Sequence, residues 1–180
     1  MAGDSALLVL LARALTYPDA AAPALVAECS AAGGWAEPAA AAALGRFAEA
    51  LAGDTVETMQ ERFTQTFDFD PKCTLDIGWH LFGENYERGD FLVRMRVALA
   101  AHGIEEGVDL PDHLPNALRL LARMAPDRAA ELASVSVVPA VEKILAGLDG
   151  RDSPYEQIVR SVHAAASGLA HATAGEVPHG

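Results

Sequence analysis

The chain has 180 residues, 51% of them hydrophobic and 21% charged, and carries a net charge of −12. That is long enough for one domain with a substantial core, and the composition is not that of a disordered chain. An acidic chain without clustered Lys and Arg is a poor match for nucleic acid, and no stretch approaches the roughly 18–20 apolar residues needed to span a bilayer.

Alanine and leucine dominate the apolar set, which favours helices. The first expected helix runs from about Asp4 to Thr16, with Leu7, Leu8, Leu11, Ala14 and Leu15 on one side, and Tyr17-Pro18 stops it. Its run Ala6–Ala12 has the outline of a secretion signal. However, no Lys or Arg precedes it and Asp4 sits where positive charge belongs, so it reads as a helix capped by Asp4 or Ser5. A second helix covers about Ala20 to Ala32, closed by Gly33-Gly34, and Glu37-Pro38 opens a third that lasts to Leu51. Asp54 or Thr55 caps a fourth, whose Val56, Met59, Phe63 and Phe67 form one buried stripe.

A polar loop, Asp68–Cys73, follows. Thr74 then caps a helix carrying Leu75, Trp79, Phe82 and Tyr86 at offsets 0, 4, 7 and 11, with a break near Gly83–Gly89. A further helix to His102 turns Phe91, Met95, Ala98 and Leu99 inward. After the acidic loop Ile104–Asp109 and the corner Leu110-Pro111-Asp112-His113-Leu114-Pro115, another helix reaches Met124. Helices from Pro126, from Val137 to Leu148 and from Pro154 to about Gly168 complete the series. The only β-branched cluster, Val135–Val138, is too short for a sheet. The fold class is all-α: a single-domain bundle of about eight to ten helices over 1–168, with 169–180 a frayed tail. Cys29 and Cys73 match no zinc, redox or disulfide spacing and fit a reducing cytoplasm.

Motifs for chemistry are thin. There is no G-x-S-x-G, P-loop, G-x-G-x-x-G or H-E-x-x-H. His80 and Glu84, four apart, are either an incomplete metal site or a hydrogen-bonded surface pair. Asp112-His113 is either an acid–base pair or a mechanical corner. In the second reading Pro111 and Pro115 stiffen the backbone, and Asp112 accepts N–H groups at the start of the helix after it. From Asp68 to Asp112 ten acidic residues face four basic ones, and Trp79, Phe82, Tyr86 and Phe91 lie among them. Aromatics beside carboxylates suit a peptide that is both apolar and basic.

The stretch from Phe63 to Met124 resembles the TorD/NarJ-type redox-enzyme maturation chaperones. The matching elements are Phe63 and Phe67, His80-Leu81-Phe82-Gly83-Glu84, Arg88-Gly89 and, above all, Leu110–Pro115. Within that family the run DPKCTLDIGWHLFGENYERG is similar to the NarJ branch, and to chaperones of nitrate reductase relatives acting on ethylbenzene, selenate or oxochlorates. The resemblance implies a TorD-like helical fold and no catalytic residue, metal or cofactor. It implies a cytoplasmic chaperone, monomer or homodimer, that binds the leader or N-terminal region of the catalytic molybdopterin subunit of a DMSO reductase family enzyme. That subunit would be held for molybdenum cofactor insertion before export or assembly, and leaders for the twin-arginine route carry paired arginines before an apolar stretch. Partner binding is carried onto Trp79, His80, Glu84, Tyr86, Asp112 and His113, with structural support from Gly83, Arg88, Gly89, Pro111 and Pro115. The alternatives are a small helical metal protein or enzyme using His80, Glu84, Asp112 and His113, and a helical subunit of a larger complex.

Overall fold

The computed structural model describes residues 2–32 and 38–172. Among these residues ten α-helices follow in order: α1 Ala2–Ala14, α2 Ala22–Ala31, α3 Pro38–Leu51, α4 Val56–Phe67, α5 Ile77–Phe82, α6 Tyr86–Ala101, α7 Leu114–Leu121, α8 Pro126–Leu132, α9 Val138–Leu148 and α10 Tyr155–Ala172. Among the described residues there is no strand, and the fold is the expected all-α bundle. No helix of the described residues is long and apolar enough to cross a membrane. The expected Gly33-Gly34 break, the role of Glu37 and the tail from residue 173 lie outside the described residues; α10 itself continues past Gly168 to Ala172.

α10 is the central element and packs against α1, α3, α8 and α9. Its Ile158, Val159, Val162 and Ala166 are fully buried. The small side chains of α3 bring its backbone close to α10, so that the Ser161 hydroxyl donates to the Ala40 carbonyl at 3.1 Å. Beside this contact Phe47, Phe63, Phe67 and Tyr155 meet edge to face, with centroids 4.9–5.7 Å apart. The Tyr155 hydroxyl donates to the Met59 carbonyl, so the one polar tip in this aromatic cluster is satisfied. The stripe read from α4 is the face that enters the cluster, and the Thr55 hydroxyl caps that helix by accepting from the Thr58 N–H.

Two local features go beyond the sequence reading. The side of α1 expected to face inward, Leu7, Leu8, Leu11, Ala14 and Leu15, is buried, and Leu10 and Ala12 widen it because α2, α7 and α10 pack around the helix, leaving Ala6, Val9, Arg13 and Thr16 as its exposed stripe. The β-branched cluster forms one π-helical turn, Ala133–Val137, which joins α8 to α9 without a break. Pro139 explains the turn. It has no N–H for the Val135 carbonyl and its ring crowds that carbonyl, so the helix widens and the Val138 N–H reaches back to the Ala133 carbonyl.

Candidate functional site

The 110–115 corner lies against the start of α5. Residues 76 and 113 form an isolated antiparallel bridge, made by the Ile77 N–H on the Asp112 carbonyl at 3.1 Å and the Leu114 N–H on the Leu75 carbonyl at 2.8 Å. Pro111 and Pro115 are buried on either side. His113, extended at φ −60° and ψ 132°, gives the corner one short strand-like edge for pairing, whereas Leu114 before Pro115 is already the first residue of α7. His113 then becomes the N-cap position of α7, with Pro115 in that helix's first turn.

Asp112 is fully buried, and its carboxylate serves α5 rather than α7. Its Oδ2 accepts from the Gly78 N–H at 2.8 Å. Together with the backbone bond to Ile77, one residue thereby satisfies two of the N–H groups that a helix start leaves unpaired. The expectation that Asp112 would cap the helix after the corner is corrected: the extended backbone at 112–113 turns this side chain back across the bridge. Gly78 is required there, because a Cβ at that position would lie 2.6 Å from Asp112 Oδ2 and 3.1 Å from the Phe91 ring. Burial, with the negative charge of Asp76 nearby, raises the Asp112 pKa above the ordinary carboxylate value. Its Oδ1 has no hydrogen-bond partner.

Asp76 precedes α5 but does not cap it. One carboxylate oxygen faces His113 Nδ1 at 3.2 Å and the other faces the Arg88 guanidinium at 3.4 Å. The His113 hydrogen bond, then the nearby positive charges, hold its pKa below the ordinary value. Arg88 also lies over the Trp79 ring, 5.6 Å from its centroid. Asp76, Trp79 and Arg88 line an open cleft of about 370 Å³ together with Phe67, Asp68 and Asp70. Asp70 is already paired with Arg151.

The side chains singled out from sequence therefore divide in two. Glu84 is exposed, Tyr86 is 84% exposed, and Trp79 and His113 are half-buried. His80 and Asp112 are buried. His80 Nε2 donates to the Thr74 carbonyl at 2.7 Å, and its own carbonyl accepts from Lys143 Nζ at 2.6 Å. Burial lowers the His80 pKa. The expected His80–Glu84 surface pair does not form, because α5 ends at Phe82 and Gly83 turns the chain at φ 60°, a conformation that side chains other than glycine rarely adopt. Thr74 was expected to cap this helix; it instead offers its carbonyl to His80, and the helix begins three residues later. Tyr86 opens the next helix, α6, rather than continuing the α5 stripe, and Gly89 lies inside α6.

Asp112 and His113 point to different partners, Gly78 and Asp76, so these two adjacent residues form no acid–base pair with each other. Among the described residues no three His, Cys, Asp or Glu side chains gather as a metal site would require. Sequence reasoning missed Asp76 and Gly78 as parts of the site. The available signal was a glycine in the first turn of a short helix, where only close packing justifies its entropic cost.

Two comparisons with known proteins bear on this corner. The family model described as nitrate reductase delta subunit matches residues 35–157. The chain is also 31% identical over 152 residues to the protein described as nitrate reductase molybdenum cofactor assembly chaperone NarJ from Escherichia coli strain K12, and equally to that of Escherichia coli O157:H7. These matches cover 82% of this chain but 64% of each relative, so the chain spans a little under two thirds of the length of the curated relatives it matches. With a family model covering most of its length, including the whole of the bridged corner, this helical chain belongs to the nitrate reductase delta subunit family.

Proposed function

We propose that the protein is a non-catalytic assembly chaperone for the catalytic subunit of a molybdenum enzyme of the DMSO reductase family. In this reading it works in the cytoplasm, as a monomer or homodimer and without a cofactor of its own. It binds the leader or N-terminal region of that subunit and holds it until the molybdenum cofactor is in place. The observation that carries the reading is the bridge between residues 76 and 113, which fixes an acidic and aromatic face on a rigid corner. A segment with paired arginines and an apolar stretch has the matching chemistry: carboxylates orient the cations and aromatic faces take both cation and apolar side chain.

In this reading the exposed Glu84 and Tyr86 and the half-buried Trp79 and His113 touch such a segment. Asp112 and His80 support them from beneath, and Asp76 supplies the surface carboxylate first sought in Asp112. The reading draws on family membership and on the charge of this face together. Its test is titration of a synthetic leader peptide carrying paired arginines, followed by calorimetry at low and high salt. Binding that weakens as salt rises is expected, because the contacts lie at the surface. Affinity indifferent to salt and to Asp76→Asn would overturn the acidic-face model.

A further inference from the structure

Arg88 occupies the acidic and aromatic face without being well held there. Its guanidinium lies over Trp79, yet its contact with Asp76 Oδ2 is 3.4 Å, long against the roughly 2.7–2.9 Å of a good charge-assisted bond. Its Nε is buried with no hydrogen-bond partner. A guanidinium with one distant acceptor and one orphaned N–H uses little of what a planar fork can make.

We propose that Arg88 is a resident stand-in for an arginine of the client, held on Asp76 and Trp79 in the free protein and displaced when the client's guanidinium arrives. This rests on the reading above and specifies how the same face is kept closed. Displacement does not strand Arg88. The fully buried Asp112 has an oxygen with no partner, Oδ1, and the Asp112 carboxylate and the Arg88 stem both crowd the place a Cβ would take on Gly78, Oδ2 at 2.6 Å from it and Arg88 Cγ at 3.3 Å. The Arg88 side chain and the Asp112 carboxylate therefore flank one glycine, and each carries a buried polar atom without a partner, Arg88 Nε and Asp112 Oδ1. A swing of Arg88 toward Asp112 satisfies both while clearing Asp76 and the Trp79 ring. Asp68, exposed at the same cleft, stands ready for the incoming cation, whereas Asp70 is committed to Arg151.

The test uses the full chain carrying Trp35→Phe, so that Trp79 is the only indole and its fluorescence reports the face. Two peptides are titrated: one with paired arginines before an apolar stretch, and one with both arginines replaced by neutral citrulline. Removing an internal competitor with Arg88→Gln is expected to tighten the arginine peptide about five- to tenfold and to leave the citrulline peptide unchanged. Arg88→Lys, which keeps the charge but not the fork, is expected to fall between and gives the answer should Arg88→Gln unfold, as thermal melts would reveal. Wild-type binding that Arg88→Gln and Arg88→Lys weaken or leave unchanged overturns the stand-in role and leaves the chaperone reading intact. No binding of either peptide by any variant overturns the leader-binding reading and the stand-in role with it.

Discussion

Around α10 the chain is held by apolar surface: Ile144 of α9, Ile158, Val159 and Val162 are fully buried, and the polar groups there, such as Ser161 and Tyr155, are few and satisfied. At the α5 corner the elements are short, α5 having six residues. What joins them is a two-bond bridge, a buried carboxylate on a helix start, a histidine–aspartate contact and a loosely held arginine. Apolar packing is non-directional and sums over many contacts, so it makes a robust scaffold. A hydrogen-bonded corner depends on a few directional contacts, and any one group left unmade is costly. The bundle therefore bears the stability, and the corner holds polar groups at fixed positions on its surface.

The sharpest break of this comparison lies in the scaffold. Ile144→Ala should cost about 2–5 kcal/mol in denaturant melts through the cavity it leaves, while peptide affinity per folded molecule stays close to wild type. A large loss of affinity instead would mean that core and corner are not separable. At the corner, Asp112→Ala should cost about 1–3 kcal/mol by stranding the Gly78 N–H. Asp112→Asn should cost clearly less, since an amide oxygen still accepts that bond and no buried charge is needed. Equal losses would remove the α5 cap as the reason for burying this residue.

His113→Ala should be milder still, about 1 kcal/mol or less, because it deletes one half-buried contact to Asp76. Partner maturation or peptide binding should nevertheless fall, and a large drop in melting temperature would place His113 among the structural supports instead. The smallest effect is a pH slope. Burial lowers the folded pKa of His80 below 6.5, so the unfolded chain takes up the proton first and stability declines as pH falls from about 6.5 through the folded pKa. His80→Gln, whose amide can still donate to the Thr74 carbonyl, should flatten that slope in urea melts at a series of pH values.

Much of the scaffold was legible in the sequence for local reasons. Leu and Ala periodicity marked the helices, the spacing of Met59, Phe63 and Phe67 marked the inward face of α4, and Thr55 and the prolines marked helix starts. The break at Gly83 was legible as well, since a glycine between two helical patterns signals a turn that needs positive φ. The corner was legible as a stiff element ahead of a helix, but neither its strand-like pairing nor its connections were. Asp112 meets Gly78 across 34 residues and Asp76 meets His113 across 37, and no periodicity links such distant side chains.

The sequence by itself determined that this chain is helical, that one aromatic and acidic segment differs from the rest, and that prolines fix the corner within it. These follow from propensity, patterning and backbone sterics, which act over a few residues. Only the tertiary structure decided that Asp112 is buried, that Asp76 takes its place at the surface, and that Arg88 lies over Trp79. The physical reason is that a side chain's partner depends on which helix start is packed against it, and the packing of the whole bundle sets that.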